Sequence, residues 1–306
     1  MNRTLCMRLP RHTLDPYADV SPVLQIGRAE VEHKFLVEAD EAARFAAIVS
    51  ERLAEEVFDR QRPVSHVVTT YFDTDDRRLF QAGADTGLGR VRVRQYAAAA
   101  TPDGEAAIGQ ACAFELKEAT GESRRKARIV ATPADIDRLL YQGGWMHDSH
   151  TSAVSEMPLF RAASAIGSGV LRPTLTTTFR RRAWVGPEIR VTLDEGVLFA
   201  APAGLRQPGD PAAPHGVYSR LPQRVIEVKL GVSLPAWLAA AMRGRRLATR
   251  FSKYRDGLLA AQRIEALAAA ARSAPFTSRT PRITVGAFEH EPSRTGVSAW
   301  HEPTRA

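Results

Sequence analysis

The chain has 306 residues with 44% hydrophobic content, enough to bury a real core, which excludes an intrinsically disordered protein. It carries a formal net charge of +8, which suits a polyanionic partner without choosing among nucleic acid, anionic lipid, nucleotide and polyphosphate. Two cysteines, Cys6 and Cys112, exclude a disulfide framework and fit a reducing, cytoplasmic setting, and no apolar run reaches the roughly 18 residues of a membrane span.

Residues 1–27 hold Pro10, Pro16 and Pro22 without periodicity and read as a loose arm that lacks an apolar signal core. The first strand, near 29–37, alternates Glu30, Glu32 and Lys34 with Val31, His33 and Phe35. Successive strand side chains point to opposite faces, so both carboxylates and the ammonium share one side. Taken alone this reads as a solvated strand face with its own salt bridge, or as two carboxylates close enough to share a hard divalent cation. Asp40 to Val57 then predicts a helix with Phe45, Ile48, Val49 and Leu53 on one stripe.

Strands follow near 66–73 and 89–96. In the second, Arg90, Arg92 and Arg94 place three guanidinium groups on one face, where their repulsion is costly unless carboxylates or a polyanion answer it. Arg matches phosphate oxygens bidentately, which makes this the strongest phosphate-binding candidate in the chain. Strands near 111–118 and 124–131 form a hairpin across Thr120–Ser123. They carry Lys117, Lys126 and Arg128, and Glu115 either pairs with these cations or reaches a metal. Cys112 reads as a small buried residue. Thr132-Pro133 opens a helix, and residues 155–167 form another.

The strands near 174–184 and 188–199, joined at Gly186-Pro187, carry Arg180, Arg182, Arg190 and Asp194. In the strand 223–230, Glu227 and Lys229 share the one polar face of an otherwise apolar run, so that face lines something polar. Glu227 is the best metal-ligand candidate outside the first strand, because hard divalent cations prefer oxygen donors. Ser233 opens a short helix. Ser252 caps a long Ala-rich one, with Lys253 at an N-terminus that already favours anions. Residues 97–110 and 200–223 read as long loops, and 272–306 as a disordered tail.

Repetition of one-sided charge across the strands argues for an α+β fold whose antiparallel sheet closes into a barrel with a charged interior. Other chemistries lack their signatures. Gly83, Gly87 and Gly89 run into a strand without the Gly-Lys-Ser/Thr end of a P-loop, His147 and His150 lack zinc-ligand partners, and no serine sits in a nucleophile elbow. Nucleic-acid binding by stacking would interleave aromatics with the basic residues, and Val, Leu and Ala stand there instead.

The motifs Glu30-Val31-Glu32-His33-Lys34, Tyr71-Phe72-Asp73-Thr74, Arg90 to Arg94, Phe114 to Lys117, Lys126-Ala127-Arg128, Arg182-Ala183-Trp184, Arg190 to Asp194, Val225 to Lys229 and Phe251 to Tyr254 occur in an order that resembles the VTC domain. That domain is the catalytic part of the vacuolar transporter chaperone polyphosphate polymerases and their bacterial relatives, within the triphosphate tunnel metalloenzymes that include CYTH domains. The resemblance covers roughly residues 28–262, within a domain set at 28–271.

It implies a closed eight-stranded antiparallel tunnel with flanking helices, and transfer of the ATP γ-phosphoryl group to polyphosphate. The rivals are a CYTH-like triphosphatase, to which the two glutamates of the first strand are similar, and a non-catalytic polyphosphate sensor. Phosphate binding would fall to Lys34, Arg90, Arg92, Arg94, Lys117, Lys126, Arg128, Arg180, Arg182, Arg190, Lys229 and Lys253. Catalysis would centre on Lys34, Arg92, Arg94, Lys117, Glu227 and Lys253. A divalent metal, Mn²⁺ or Mg²⁺, would sit on Glu30, Glu32 and Glu227, with Glu115 and Asp194 as further candidates. The implied partners are ATP and polyphosphate or tripolyphosphate, with no nucleic acid, no membrane span and room for a membrane partner protein.

Overall fold

A computed structural model of the chain describes residues 23–28, 31–82, 90–120, 123–142, 158–231 and 233–273. Among them are eleven strands of one antiparallel sheet: β1 (Val23–Arg28), β2 (Val31–Val37), β3 (Ala54–Glu56), β4 (Val64–Asp73), β5 (Arg90–Ala99), β6 (Ala107–Thr120), β7 (Ser123–Ala131), β8 (Arg172–Gly186), β9 (Ile189–Ala200), β10 (Val217–Arg220) and β11 (Arg224–Leu230). The helices are α1 (Ala39–Ser50), α2 (Arg78–Ala82), α3 (Pro133–Tyr141), α4 (Pro158–Gly167), α5 (Ala236–Met242) and α6 (Lys253–Ser273). The sheet runs β1-β7-β6-β5-β4-β8-β9-β11-β2, with β10 on β9 and β3 on β8.

The expected closed eight-stranded barrel is therefore corrected to an open path of pairing whose end strands, β1 and β2, are not paired with each other. The reason lies in connectivity. β1 pairs with β7 and β2 with β11, so one stretch of chain gives its first half to one edge and its second half to the other. Arg28 and Val31 are three peptide steps apart, at most about 11 Å, so the sheet curls enough to bring these ends of β1 and β2 near each other.

Three other expectations change. Residues 23–27, read as arm, pair with β7 as part of β1. The helix predicted to Val57 ends at Ser50, and Ala54–Glu56 instead pairs with Val185, Trp184 and Ala183 of β8. Ile48, expected on the buried stripe, is exposed, while Phe45 and Val49 are buried. The loops are shorter than predicted, since β5 extends to Ala99, β6 begins at Ala107 and β10 interrupts 200–223.

The outer face of the curled sheet is apolar and covered. Val91, Val93, Phe114, Leu116 and Ile129 pack beneath α3 and α4, and Phe35, Val191, Leu193, Ile226 and Val228 beneath α1 and α5. These residues alternate with the charged ones, so covering one face forces the charges onto the other. α3 starts as predicted, with Thr132 Oγ1 accepting from the Asp135 N–H at 3.2 Å and Pro133 in the first turn. Cys112 is fully buried, and burial pushes its thiol pKa up.

The concave face is divided. One part is apolar, formed by Val67, Tyr71, Leu175, Phe179, Phe199 and Val225, and the first turns of α6 insert Tyr254 and Leu258 into it. Gly257 of α6 lies so close that an added Cβ would meet Leu175 at 2.5 Å and Phe199 at 2.7 Å. The other part holds the charge.

Candidate active site

Hairpin register decides which side chains enter this chamber. Gly186 pairs with Ile189 across a two-residue turn, so Arg181 falls opposite Asp194 on the concave face, while Arg180 and Arg182 fall opposite Glu195 and Leu193 on the other. A bulge near Gly196, whose φ is +60°, then shifts the phase of β9 by one residue. It lets Asp194 and the apolar Val197 and Phe199 share the concave side.

Asp194 is fully buried and clamped. Arg181 donates to both of its oxygens, at 2.7 and 2.8 Å, and Lys253 Nζ donates to Oδ2 at 2.7 Å. Burial alone would raise its pKa, but Arg181 and Lys253 outweigh that and lower it. Lys253 also lies 4.7 Å from the Phe179 ring centre, so α6 delivers its first residue directly into the chamber. Ser252 caps that helix as predicted, its Oγ accepting from the Arg255 N–H at 3.5 Å, while its own N–H donates to Asp256 Oδ2 at 2.9 Å. Arg90 stands at the rim and donates to Ser252 Oγ.

Glu115 organises the opposite wall. It is fully buried, 2.6 Å from Arg92 and 2.6 Å from Lys126, with Arg94 at 3.8 Å and Arg128 at 4.0 Å. Burial would raise the Glu115 pKa; Arg92, Arg94 and Lys126 outweigh it and hold the carboxyl well below its ordinary value. Burial pushes Lys126 down to about 7 even beside Glu115, with repulsion from Arg128 and Arg94 adding to the effect.

The third group contains Glu32, Lys34, Glu227 and Lys229. Glu32 and Lys34 form an ion pair, Lys229 Nζ is 3.9 Å from Glu227, and Glu227 pairs in register with Lys34. Lys117 of β6 reaches Glu32 of β2 at 4.0 Å, which brings the two ends of the sheet into one site. Burial lowers the Lys117 pKa well below its ordinary value, with Arg92 adding to this and Glu32 opposing it. Burial would raise the Glu227 pKa, yet Lys229, Lys34 and Lys117 hold it well below the usual range.

Nearly all the predicted cations thus converge. Arg180 and Arg182 do not: they pair outside, with Glu195 at 2.9 Å and Glu55 at 2.9 Å. Arg181 and Glu56, which holds Arg190 at 2.6 Å, were not singled out in the sequence. Counting back from the Gly186-Pro187 turn would have found Arg181. Glu56 lay hidden inside a segment that reads as helix. Glu30 lies outside the described residues.

Of the five predicted metal ligands, the four that are described, Glu32, Glu115, Asp194 and Glu227, are not gathered into one cluster. Glu115 and Asp194 have no exposed side-chain surface, whereas Glu32 and Glu227, although also paired with lysines, remain 13% and 16% exposed. Among the described residues no group of three or more His, Cys, Asp or Glu is placed to hold a metal. These two partly exposed carboxylates would still suit a hard divalent cation, which prefers oxygen donors.

Cations outnumber carboxylates in this chamber, and burying ion pairs is a poor route to stability. Arg94 Nε, Thr177 Oγ1 and Thr192 Oγ1 are buried without a hydrogen-bond partner among the described residues. Unanswered donors beside surplus buried cations are what an anionic ligand with many oxygens would complete. A separate cavity of about 420 Å³ between α3 and α4 has no charged side chain in its lining and lies in the outer layer.

The VTC domain profile matches residues 29–262. The chain belongs to the VTC domain family. This places it among triphosphate-tunnel enzymes. Solved structures similar to this VTC domain include a protein provisionally assigned as an adenylate cyclase from Bacillus halodurans, 16% identical, covering 70% of this chain and 84% of that one with a TM-score of 0.38. Another is the PH1819 protein of Pyrococcus horikoshii, 13% identical, covering 74% and 97% with a TM-score of 0.35. The Pct1 RNA triphosphatase of Schizosaccharomyces pombe is 11% identical, covering 82% and 84% with a TM-score of 0.22. The search of curated protein sequences found no match. Among the described residues of this VTC domain no helix is long and apolar enough to cross a membrane.

Proposed function

We propose that the chain is a polyphosphate polymerase that transfers the γ-phosphoryl group of ATP to the end of a polyphosphate chain, releasing ADP. The observation that carries this reading is the convergence of Lys34, Arg92, Arg94, Lys117, Arg181 and Lys253 on one concave chamber with two accessible carboxylates. Phosphoryl transfer requires positioning and neutralisation of charge more than covalent catalysis. The arginines would hold phosphate oxygens bidentately, and the lysines would neutralise charge along the bound chain. Glu32 and Glu227, with Glu30, would hold Mg²⁺ or Mn²⁺, which would supply Lewis-acid neutralisation of the charge that develops on the phosphoryl group.

A second reading is hydrolysis, in which water takes the phosphoryl group. It draws on Glu32, a carboxylate held ionised by Lys117 and Lys34 against burial and Glu227, and so able to orient a water molecule. Incubation with ATP and Mn²⁺ separates the two. Long polyphosphate on a gel supports the polymerase. Phosphate release from tripolyphosphate without chain growth would overturn it, and binding without turnover under any divalent metal would leave a sensor.

A further inference from the structure

The segment between α5 and α6 is more basic than its structural duties require. It reads Arg243-Gly244-Arg245-Arg246-Leu247-Ala248-Thr249-Arg250, and one of its arginines anchors it. Arg245 is half-buried, 2.9 Å from Glu41, with its guanidinium 5.3 Å from the centre of the Phe45 ring. Gly244, at φ +77°, makes the turn that lets this side chain reach back onto α1. Arg243, Arg246 and Arg250 are exposed, and no ion pair is recorded for them among the described residues.

Their placement is the second observation. The Ala248 N–H donates to the Lys34 carbonyl at 2.8 Å, and Leu247 bridges to Phe35, so the segment is strapped along β2, the edge strand that carries Glu32 and Lys34. Arg250 precedes Lys253 by three residues, so their Cα atoms are at most about 11 Å apart. Arg255, also exposed, puts another cation into the first turn of α6, where the helix already presents its positive end. Arg250 and Arg255, which have no carboxylate partner among the described residues, raise the local potential beside Lys253 at a cost in self-repulsion.

We propose that this arginine strap is an external track for polyphosphate, on which a chain longer than the chamber continues after leaving Lys34 and Lys253. The inference rests on the tunnel reading above and sharpens its substrate class: a long, linear, multiply charged phosphate chain, not a lone triphosphate. The strap lacks exposed aromatic side chains on which bases would stack, which disfavours single-stranded nucleic acid as its occupant.

The test compares the wild-type chain with the exposed-site variant R243Q/R246Q/R250Q, using tripolyphosphate and polyphosphates of graded length, with binding followed by calorimetry as salt is varied. The wild type should bind long chains more tightly than tripolyphosphate. The triple variant should keep its tripolyphosphate affinity within about twofold, lose roughly tenfold on long chains, and show a salt dependence shallower by roughly three released ions. Its undiminished long-chain affinity, with chamber binding intact, would overturn the strap alone. Competition by single-stranded DNA that equals that of polyphosphate, or loss in the variant of binding to phosphatidylserine vesicles with long-chain affinity unchanged, would also overturn it. If the wild type fails to bind tripolyphosphate at all, the tunnel reading falls and takes the strap with it.

Discussion

Lys253 donates to Asp194 Oδ2 at 2.7 Å, joining the first residue of the last helix to the middle of β9 across 59 residues of sequence. Arg181 binds the same carboxylate, so one buried anion positions two cations from different elements. Asp194→Asn should leave both uncompensated and cost about 3–5 kcal/mol, read as a shift in the urea midpoint. A loss below about 1 kcal/mol would mean that the clamp is slack.

Glu115 predicts an acid limit. Its folded-state pKa lies below the unfolded value of 4.5, so the stability it contributes is complete above that value and is lost as pH falls toward the folded pKa. Urea midpoints of the wild type should decline below about pH 4.5, and Glu115→Gln, less stable at neutral pH, should show a flatter decline. Parallel pH profiles for the two proteins would remove Glu115 as the source.

Lys126 predicts proton uptake. With a pKa of about 7 it is mostly neutral at pH 8, and a bound polyphosphate would raise that pKa and favour the ammonium. Calorimetry in buffers of different ionisation enthalpy should show more proton uptake at pH 8 than at pH 6, with the difference reduced in Lys126→Met and any remainder left to Lys117. Equal uptake at both pH values would contradict the assignment.

Glu227→Gln should lower metal-dependent turnover by roughly a hundredfold or more while the far-UV circular dichroism and melting transition stay close to wild type. Unchanged activity would remove Glu227 from the site.

Arg181 and Arg182 are neighbours with opposite fates. Arg181→Ala should weaken tripolyphosphate binding by roughly tenfold or more, since a guanidinium in the chamber is lost. Arg182→Ala removes a half-exposed pair with Glu55 and a cation–π contact with Trp184, and should leave binding unchanged while costing about 1 kcal/mol of stability. Titration of both variants checks the register: equal effects would mean that β8 presents its arginines otherwise.

Much of this protein was legible because strand alternation is local. Val91 and Val93 alternating with Arg90, Arg92 and Arg94, or Ile226 and Val228 around Glu227, determine by themselves that one face is apolar and the other charged. The caps Thr132 and Ser252 were readable for the same reason, since capping involves residues a few positions apart. Long-range pairing is not local. That β1 and β2 serve opposite edges, that Ala54–Glu56 leaves the helical pattern to pair with β8, and that three consecutive arginines divide two outward and one inward all depend on hydrogen-bond partners far away in sequence. The charge was written in the chain, but which carboxylates it would engage was not. Only the curled sheet brings four cations onto Glu115 and two onto Asp194, leaving Glu32 and Glu227 partly exposed, because ion pairing depends on distance in space and not along the sequence.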